Sequence, residues 1–255
     1  MESSSVQTTL ANHAGPKQVQ QFLEQGFLRL EGVIDDAERA ELRGIYDRCF
    51  APDGEDQVTR KGLGGVDAQG RQALPQVLWP SKTFPRLLEL GYFGRMRQVA
   101  QDVFGSPVQF LSEHMIQKPA GYGVATPWHQ DQAYHKPGLH YRNINFWLPL
   151  DGATVASGCM HYVRGSHRGP ILPHEYLNPD DPQTALVAQD QAYWSANGTA
   201  VSCPRGSATL HHSYMLHYAG PNTTDQPRRA YILVFGLEPQ KLDQPWRLPW
   251  QERAK

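Results

Sequence analysis

The sequence predicts an α+β domain with helices packed outside an antiparallel sheet sandwich or barrel. Three observations predict it. Apolar residues recur at helical spacing in the stretch before Pro107. After Pro107, segments 108–118, 143–150, 159–163, 207–218 and 229–237 are short and rich in Val, Ile, Phe, Tyr and Trp. The 23 glycines and 20 prolines punctuate this second half heavily.

The elements follow in order. Residues 1–14 are polar and read as a frayed, flexible start. From Pro16, the spacing of Val19, Phe22 and Leu23 predicts a helix that Gly26 stops. Phe27 to Leu30 alternates like a short strand. Asp35 or Asp36 can cap a second helix, which carries Leu42, Ile45, Tyr46 and Cys49 on one face. Residues 51–76, rich in Gly, Asp and Gln, read as a long surface loop. Met96, Val99, Ala100, Val103 and Phe104 mark a third helix, which ends at Gly105. Asn143 to Leu148 alternates polar and apolar, as a half-buried strand does. No repeat or linker divides the chain, so a single domain over 1–255 is expected, with its core at 108–237.

Composition limits the function. Twenty-four basic side chains against 25 acidic ones leave a formal charge of -1, which argues against nucleic acid or an anionic membrane as partner. Cys49, Cys159 and Cys203 form no C-x-x-C pair, which excludes a thiolate zinc site and a disulfide scaffold. No apolar run approaches the ~18 residues that span a bilayer, and the start lacks the pattern of a secretory signal. The expectation is a soluble cytoplasmic protein acting on a small molecule. Nothing in the sequence speaks to its oligomeric state.

Eleven histidines in a chain with three cysteines point to a metal held without sulfur. In Thr126-Pro127-Trp128-His129-Gln130-Asp131, the His and the Asp lie two apart and share one side of an extended backbone. Imidazole nitrogen and carboxylate oxygen together grip a divalent metal. With one more His they make a facial triad that leaves coordination positions open. Alone, His-x-Asp is a weak signal that reads first as a surface polar pair. A second cluster runs from His211 and His212 through His217 to a Gly220-Pro221-Asn222 turn and a returning strand from Arg228. Read as a hairpin, it brings Arg228 towards His217. A guanidinium beside a metal with open positions suits a keto acid with a distal carboxylate, which it grips through paired hydrogen bonds.

Four signatures carry a resemblance: Trp128-His129-Gln130-Asp131; the strand through Trp147 that ends Leu150-Asp151-Gly152; Ser157 to His167; and His217 with Arg228 eleven residues on. Together they resemble the phytanoyl-CoA hydroxylase (phytanoyl-CoA dioxygenase) family of Fe(II)/2-oxoglutarate-dependent oxygenases. The resemblance implies a double-stranded β-helix, or jelly roll, with iron held by His129, Asp131 and His217. It also implies Arg228 on the distal carboxylate of 2-oxoglutarate, with Trp147 and Gln117 beside that cosubstrate. O2 is the oxidant, and succinate and CO2 are released as a C–H bond is hydroxylated. Desaturation, epimerisation and ring formation are alternatives within the same chemistry. Halogenation is disfavoured, because related halogenases replace the carboxylate that Asp131 provides. Two departures stand out: Ala219 lies where the family often has a cosubstrate-binding Ser, and Arg164 lies where a loop Pro is usual.

Other polar and aromatic residues have two readings each. His211 shares a strand face with His217 and either lines the pocket or is a hydrogen-bonded strand residue. Tyr134, His135, His140 and Arg142 either face the substrate or are solvated. Trp79 either closes over a substrate or packs. His114 reads as a core residue, His161 and His167 as turn residues, and Arg229 as pointing to solvent; His13 and His174 carry no signal. Outside this family, a zinc hydrolase and a non-catalytic jelly-roll binding protein are the rival classes.

Overall fold

A computed structural model describes residues 10–51, 58–64, 69–182 and 184–252. The N-terminal part runs α1 (Pro16–Gln25), β1 (Phe27–Leu30), α2 (Asp36–Phe50), β2 (Thr59–Gly62), β3 (Pro75–Leu78) and α3 (Gly91–Phe104). The middle holds β4 (Gln109–Lys118), β5 (Thr126–His129), β6 (Leu139–His140), β7 (Asn143–Pro149), β8 (Met160–Tyr162), β9 (His174–Tyr176) and β10 (Leu186–Ala188). The rest is α4 (Gln191–Asn197), β11 (Thr199–Val201), β12 (Ala208–His212), β13 (His217–Ala219), β14 (Arg228–Gly236), β15 (Gln240–Lys241) and α5 (Pro249–Glu252).

The three expected helices form for the expected reasons. Pro16 opens α1, and Gly26, at φ +84°, closes it. Asp35 caps α2 in a reciprocal box with Glu38. Gly105 ends α3 in the left-handed region. The start is firmer than its polarity predicts. The Ala11 amide donates to the Gly32 carbonyl at 2.8 Å and Ala14 is buried, while residues 1–9 lie outside the described ones.

Seven antiparallel strands in the order β1-β12-β7-β14-β4-β3-β2 form one sheet, and β11-β8-β13-β5 form a second. They oppose each other as the jelly roll requires. Strand alternation sorts the chemistry. On β14, Tyr231, Leu233 and Phe235 pack against the helices, while Ala230, Ile232 and Val234 face inwards with Met160 and Tyr162 of the second sheet. Arg228 belongs to the inner set by the same count. Arg229 takes the outer face but does not reach open water: Asp47 of α2 at 3.1 Å and Asp151 at 3.0 Å hold it.

Three expectations change. Part of the stretch read as a loop, 51–76, is the β2–β3 ribbon, which extends the sheet beyond β4; residues 52–57 and 65–68 lie outside the described ones. Backbone pairing builds β2 although its side chains are polar and mostly exposed, which is why no apolar alternation announces it. Segment 207–218 is not one strand. The chain leaves the first sheet after His212, turns, and enters the second at His217. His217 and Arg228 are therefore not hairpin partners: β13 pairs with β5 and β8, and β14 pairs with β4 and β7.

Lys118 fastens this crossing. Its buried ammonium donates to the Val124, Ala219 and Gly220 carbonyls at 2.7, 2.9 and 2.6 Å, so all three protons have acceptors. Gly158, at φ +82°, lies so close that a Cβ there would stand 2.4 Å from the Gly220 oxygen.

Candidate metal centre

His129 ends β5 and His217 begins β13, directly opposite each other in register, with ring centroids 4.1 Å apart. Asp131 opens the single helical turn after β5. One ligand atom from each of the three lies within 4.8 Å of the others. The two imidazoles are held alike. His129 Nδ1 faces the Pro127 carbonyl at 2.8 Å and His217 Nδ1 faces the Met215 carbonyl at 2.8 Å. A carbonyl only accepts, so each Nδ1 carries the proton and each Nε2 presents a lone pair. Those Nε2 atoms lie 3.6 and 3.7 Å from Asp131 Oδ1.

The other oxygen of Asp131 is taken. Asn145 Nδ2 donates to Oδ2, and His211 Nε2 reaches it at 3.1 Å. His211 lies in turn 3.3 Å from the Tyr162 hydroxyl, which donates to Thr209. Asp131 therefore has one free oxygen, aimed at the two imidazoles. Burial would push its pKa up, but the imidazoles of His217, His129 and His211 hold it well below the usual carboxylate range. Burial, helped by His129, pushes His217 well below the usual histidine range, so it is neutral at pH 7. Anion and neutral imidazole are the forms that ligate a divalent metal.

Between the ligands, Gln130 points away and clamps the turn. Its amide nitrogen donates to the Tyr214 carbonyl at 2.8 Å, and its oxygen accepts from the Leu172 amide at 2.7 Å. The Gln130 backbone amide donates to His174 Nε2 at 3.1 Å. His174, which carried no signal in the sequence, thus supports the loop that presents both ligands. Replacing Asn145 by Ala frees one side of Asp131 and is expected to weaken Fe(II) binding roughly 10–100-fold while the fold persists. Metal titration followed by a thermal melt checks this.

A cavity of about 290 Å³ opens on these ligands and on Arg228, Trp147, Tyr134 and His211. Arg228 is 3% exposed, and its Nε and Nη1 have no partner. Burial lowers its ordinary value to about 10, so it stays charged at pH 7. Its guanidinium lies 5.2 Å from the Trp147 ring centre. A buried cation with two idle donors is costly unless an anion completes it, and a carboxylate fits that fork.

Three expected contributors are elsewhere. Gln117 has the parity of Glu113 and Met115, away from the cavity, and lines a separate one. Trp79 is outside the lining, with its ring edge-on to Phe110 at 6.1 Å. His135 is also outside: its Nδ1 pairs with the Gln132 side chain at 3.1 Å and its ring lies against Tyr141. Tyr134 does line the cavity, and its hydroxyl accepts from the Leu186 amide at 2.7 Å. His211 satisfies both of its readings, as a bonded strand residue that lines the cavity. His114, read as a core residue, lines it too, and burial lowers its ordinary value to about 4. His161 sits on β8 rather than in a turn. Asn145 was missed. Its signal was its place two residues before Trp147 on the same strand face.

A profile of the phytanoyl-CoA dioxygenase (PhyH) family matches residues 22–230. The chain belongs to this family. It is an enzyme, and iron and 2-oxoglutarate are the cofactor and cosubstrate of its class. The crystal structure of EvdO2 from Micromonospora carbonacea var. aurantiaca, complexed with 2-oxoglutarate, superposes with a TM-score of 0.82 at 37% identity, covering 95% of this chain and 99% of that one. A probable alpha-ketoglutarate-dependent hypophosphite dioxygenase of Stutzerimonas stutzeri is 24% identical over 86% of this chain and 77% of its own length. The carbocyclase SnoK from nogalamycin biosynthesis shares the fold, with a TM-score of 0.71 at 21% identity over 91% and 88% of the two chains. Among the described residues, no helix is long and apolar enough to cross a membrane.

Proposed function

We propose that this dioxygenase hydroxylates an unactivated C–H bond of a small metabolite or natural-product intermediate and releases succinate and CO2. The observation that carries the reading is the buried, half-unpartnered Arg228 in the same cavity as His129, Asp131 and His217. The three ligands would hold Fe(II), which supplies the activation of O2 coupled to oxidation of the 2-oxo acid. Arg228 would orient the cosubstrate by its distal carboxylate. Trp147, Met160 and Ile232 line the cavity with apolar surface and exclude water, which confines oxidation to the bound C–H bond. Asn145 and His211 occupy one oxygen of Asp131, so only the other would be offered to a metal.

The whole chain is read as one catalytic domain, because the helices and the first sheet share one core. Three buried cysteines outside any disulfide support a reducing, cytoplasmic setting. Substrate placement, rather than the metal centre, would select hydroxylation over ring formation, epimerisation or desaturation. The test is metal-free protein supplied with Fe(II), 2-oxoglutarate and O2. Succinate formation that needs all three is expected. No succinate, together with hydrolysis supported by Zn(II), would overturn the reading.

A further inference from the structure

The cavity carries more polar side chains than the metal and the cosubstrate use. His129, Asp131 and His217 serve the metal, Arg228 the carboxylate, and Asn145 and His211 the Asp131 oxygen. His114, Thr126, Tyr134, Lys61 and Gln76 remain, and of these Lys61 and Gln76 face each other across the β2–β3 ribbon, with Ile116 of β4 next in the row. Gln76 is 6% exposed, yet its side-chain amide makes no hydrogen bond among the described residues. Lys61 likewise has neither a hydrogen bond nor an ion pair on its ammonium. A lysine on an edge ribbon is ordinarily a solvated charge that blocks strand addition. Directly opposite it, Gln76 lines the same cavity, so an ammonium and an amide border one space.

The same two residues also line an adjoining cavity of about 640 Å³, together with Arg60, Arg71, Gln72 and Tyr122. No carboxylate lies among its described lining residues. The Arg60 guanidinium is held through Nε and Nη2 by the Cys49 and Ala51 carbonyls. The two cavities thus meet at a cation and an amide. The cavity over the metal, about 290 Å³, is at the small end for one ligand and must also take 2-oxoglutarate. A substrate too large for the space left beside 2-oxoglutarate would extend past Lys61 and Gln76.

We propose that Lys61 and Gln76 form a recognition site for an anionic group of the substrate, a carboxylate or a phosphate monoester, held while the reacting carbon reaches the metal centre. The ammonium supplies the charge and the amide a directional donor. This rests on the oxygenase reading above, in which Arg228 is already committed to 2-oxoglutarate.

The test is calorimetry on the Fe(II) enzyme saturated with 2-oxoglutarate and kept free of oxygen, with octanoate, octyl phosphate and 1-octanol as probes. Saturation fills Arg228, and the common octyl chain makes the head group the only difference. At least one anionic probe is expected to bind about tenfold or more tighter than the alcohol, and the tighter of the two identifies carboxylate or phosphate as the recognised group. Lys61→Ala should abolish the preference, Lys61→Arg should keep it, and Gln76→Leu should reduce it without weakening the alcohol. The proposal is overturned if neither anion outbinds octanol on wild type, if Lys61→Ala leaves the preference intact, or if its main effect is loss of 2-oxoglutarate affinity. The binding assay needs no turnover. A wild type that binds anions but forms no succinate would sink the oxygenase reading instead.

Discussion

Arg228→Ala should lower the affinity for 2-oxoglutarate by about 30-fold or more and leave Fe(II) binding close to wild type. The side chain is 3% exposed with two unpartnered nitrogens, so the carboxylate it receives is fully desolvated. Removing one partner of such a buried charge pair costs about 2–5 kcal/mol, or roughly 30-fold to several thousandfold. Arg228→Lys should recover only part of this, since an ammonium cannot offer two parallel donors. Succinate formation at varied 2-oxoglutarate, beside Fe(II) titration, separates the two effects. Equal cosubstrate affinity in wild type and the alanine variant would remove Arg228 from its assigned place. In wild type, 2-oxoglutarate should raise the melting temperature, because it completes a cation that folding leaves buried and half paired.

His217→Ala should eliminate stoichiometric Fe(II) binding and reduce succinate formation by more than about 100-fold, beyond what loss of a supporting residue costs. His211→Phe should cost less, within the 10–100-fold range expected when only a partner of Asp131 is lost. The pair discriminates between two histidines six residues apart that line one cavity. The 2.8 Å contact from His217 Nδ1 to the Met215 carbonyl leaves its Nε2 free for a metal, whereas His211 Nε2 is already engaged with Asp131 at 3.1 Å. Burial keeps His217 neutral at pH 7, so a metal displaces no proton from it there. If His211→Phe abolished metal binding and His217→Ala spared it, the ligand assignment would be reversed.

Much of the site was legible before the fold. His129 and Asp131 stand two apart at a strand end, where alternation turns them to one side and Gln130 to the other, as the structure has them. Arg228 and Arg229 separate for the same reason. The same rule misled at Gln117. Its strand was recognised but its parity was not, and one residue of offset puts it with Met115 on the far face. The apparent strand 207–218 misled differently. Its composition is continuous, but the backbone breaks after His212, so His211 and His217 reach one cavity from opposite sheets and not from one face. His174, Gln76 and Lys61 carried no local mark, since a single polar residue on a strand or loop gains meaning only from what faces it.

The sequence by itself determined the three helices with their caps, the family, and the residue types a metal and a dicarboxylate require. These are properties of near neighbours, set by backbone periodicity and capping over a few residues. Only the tertiary structure decided which oxygen of Asp131 is free, which histidines donate to backbone carbonyls, that Arg228 is left half unpaired, and that Lys61 meets Gln76 between two cavities. Those outcomes depend on strands far apart in the chain meeting in one register across two sheets. No local pattern encodes that pairing, because it is set by how the whole apolar core closes.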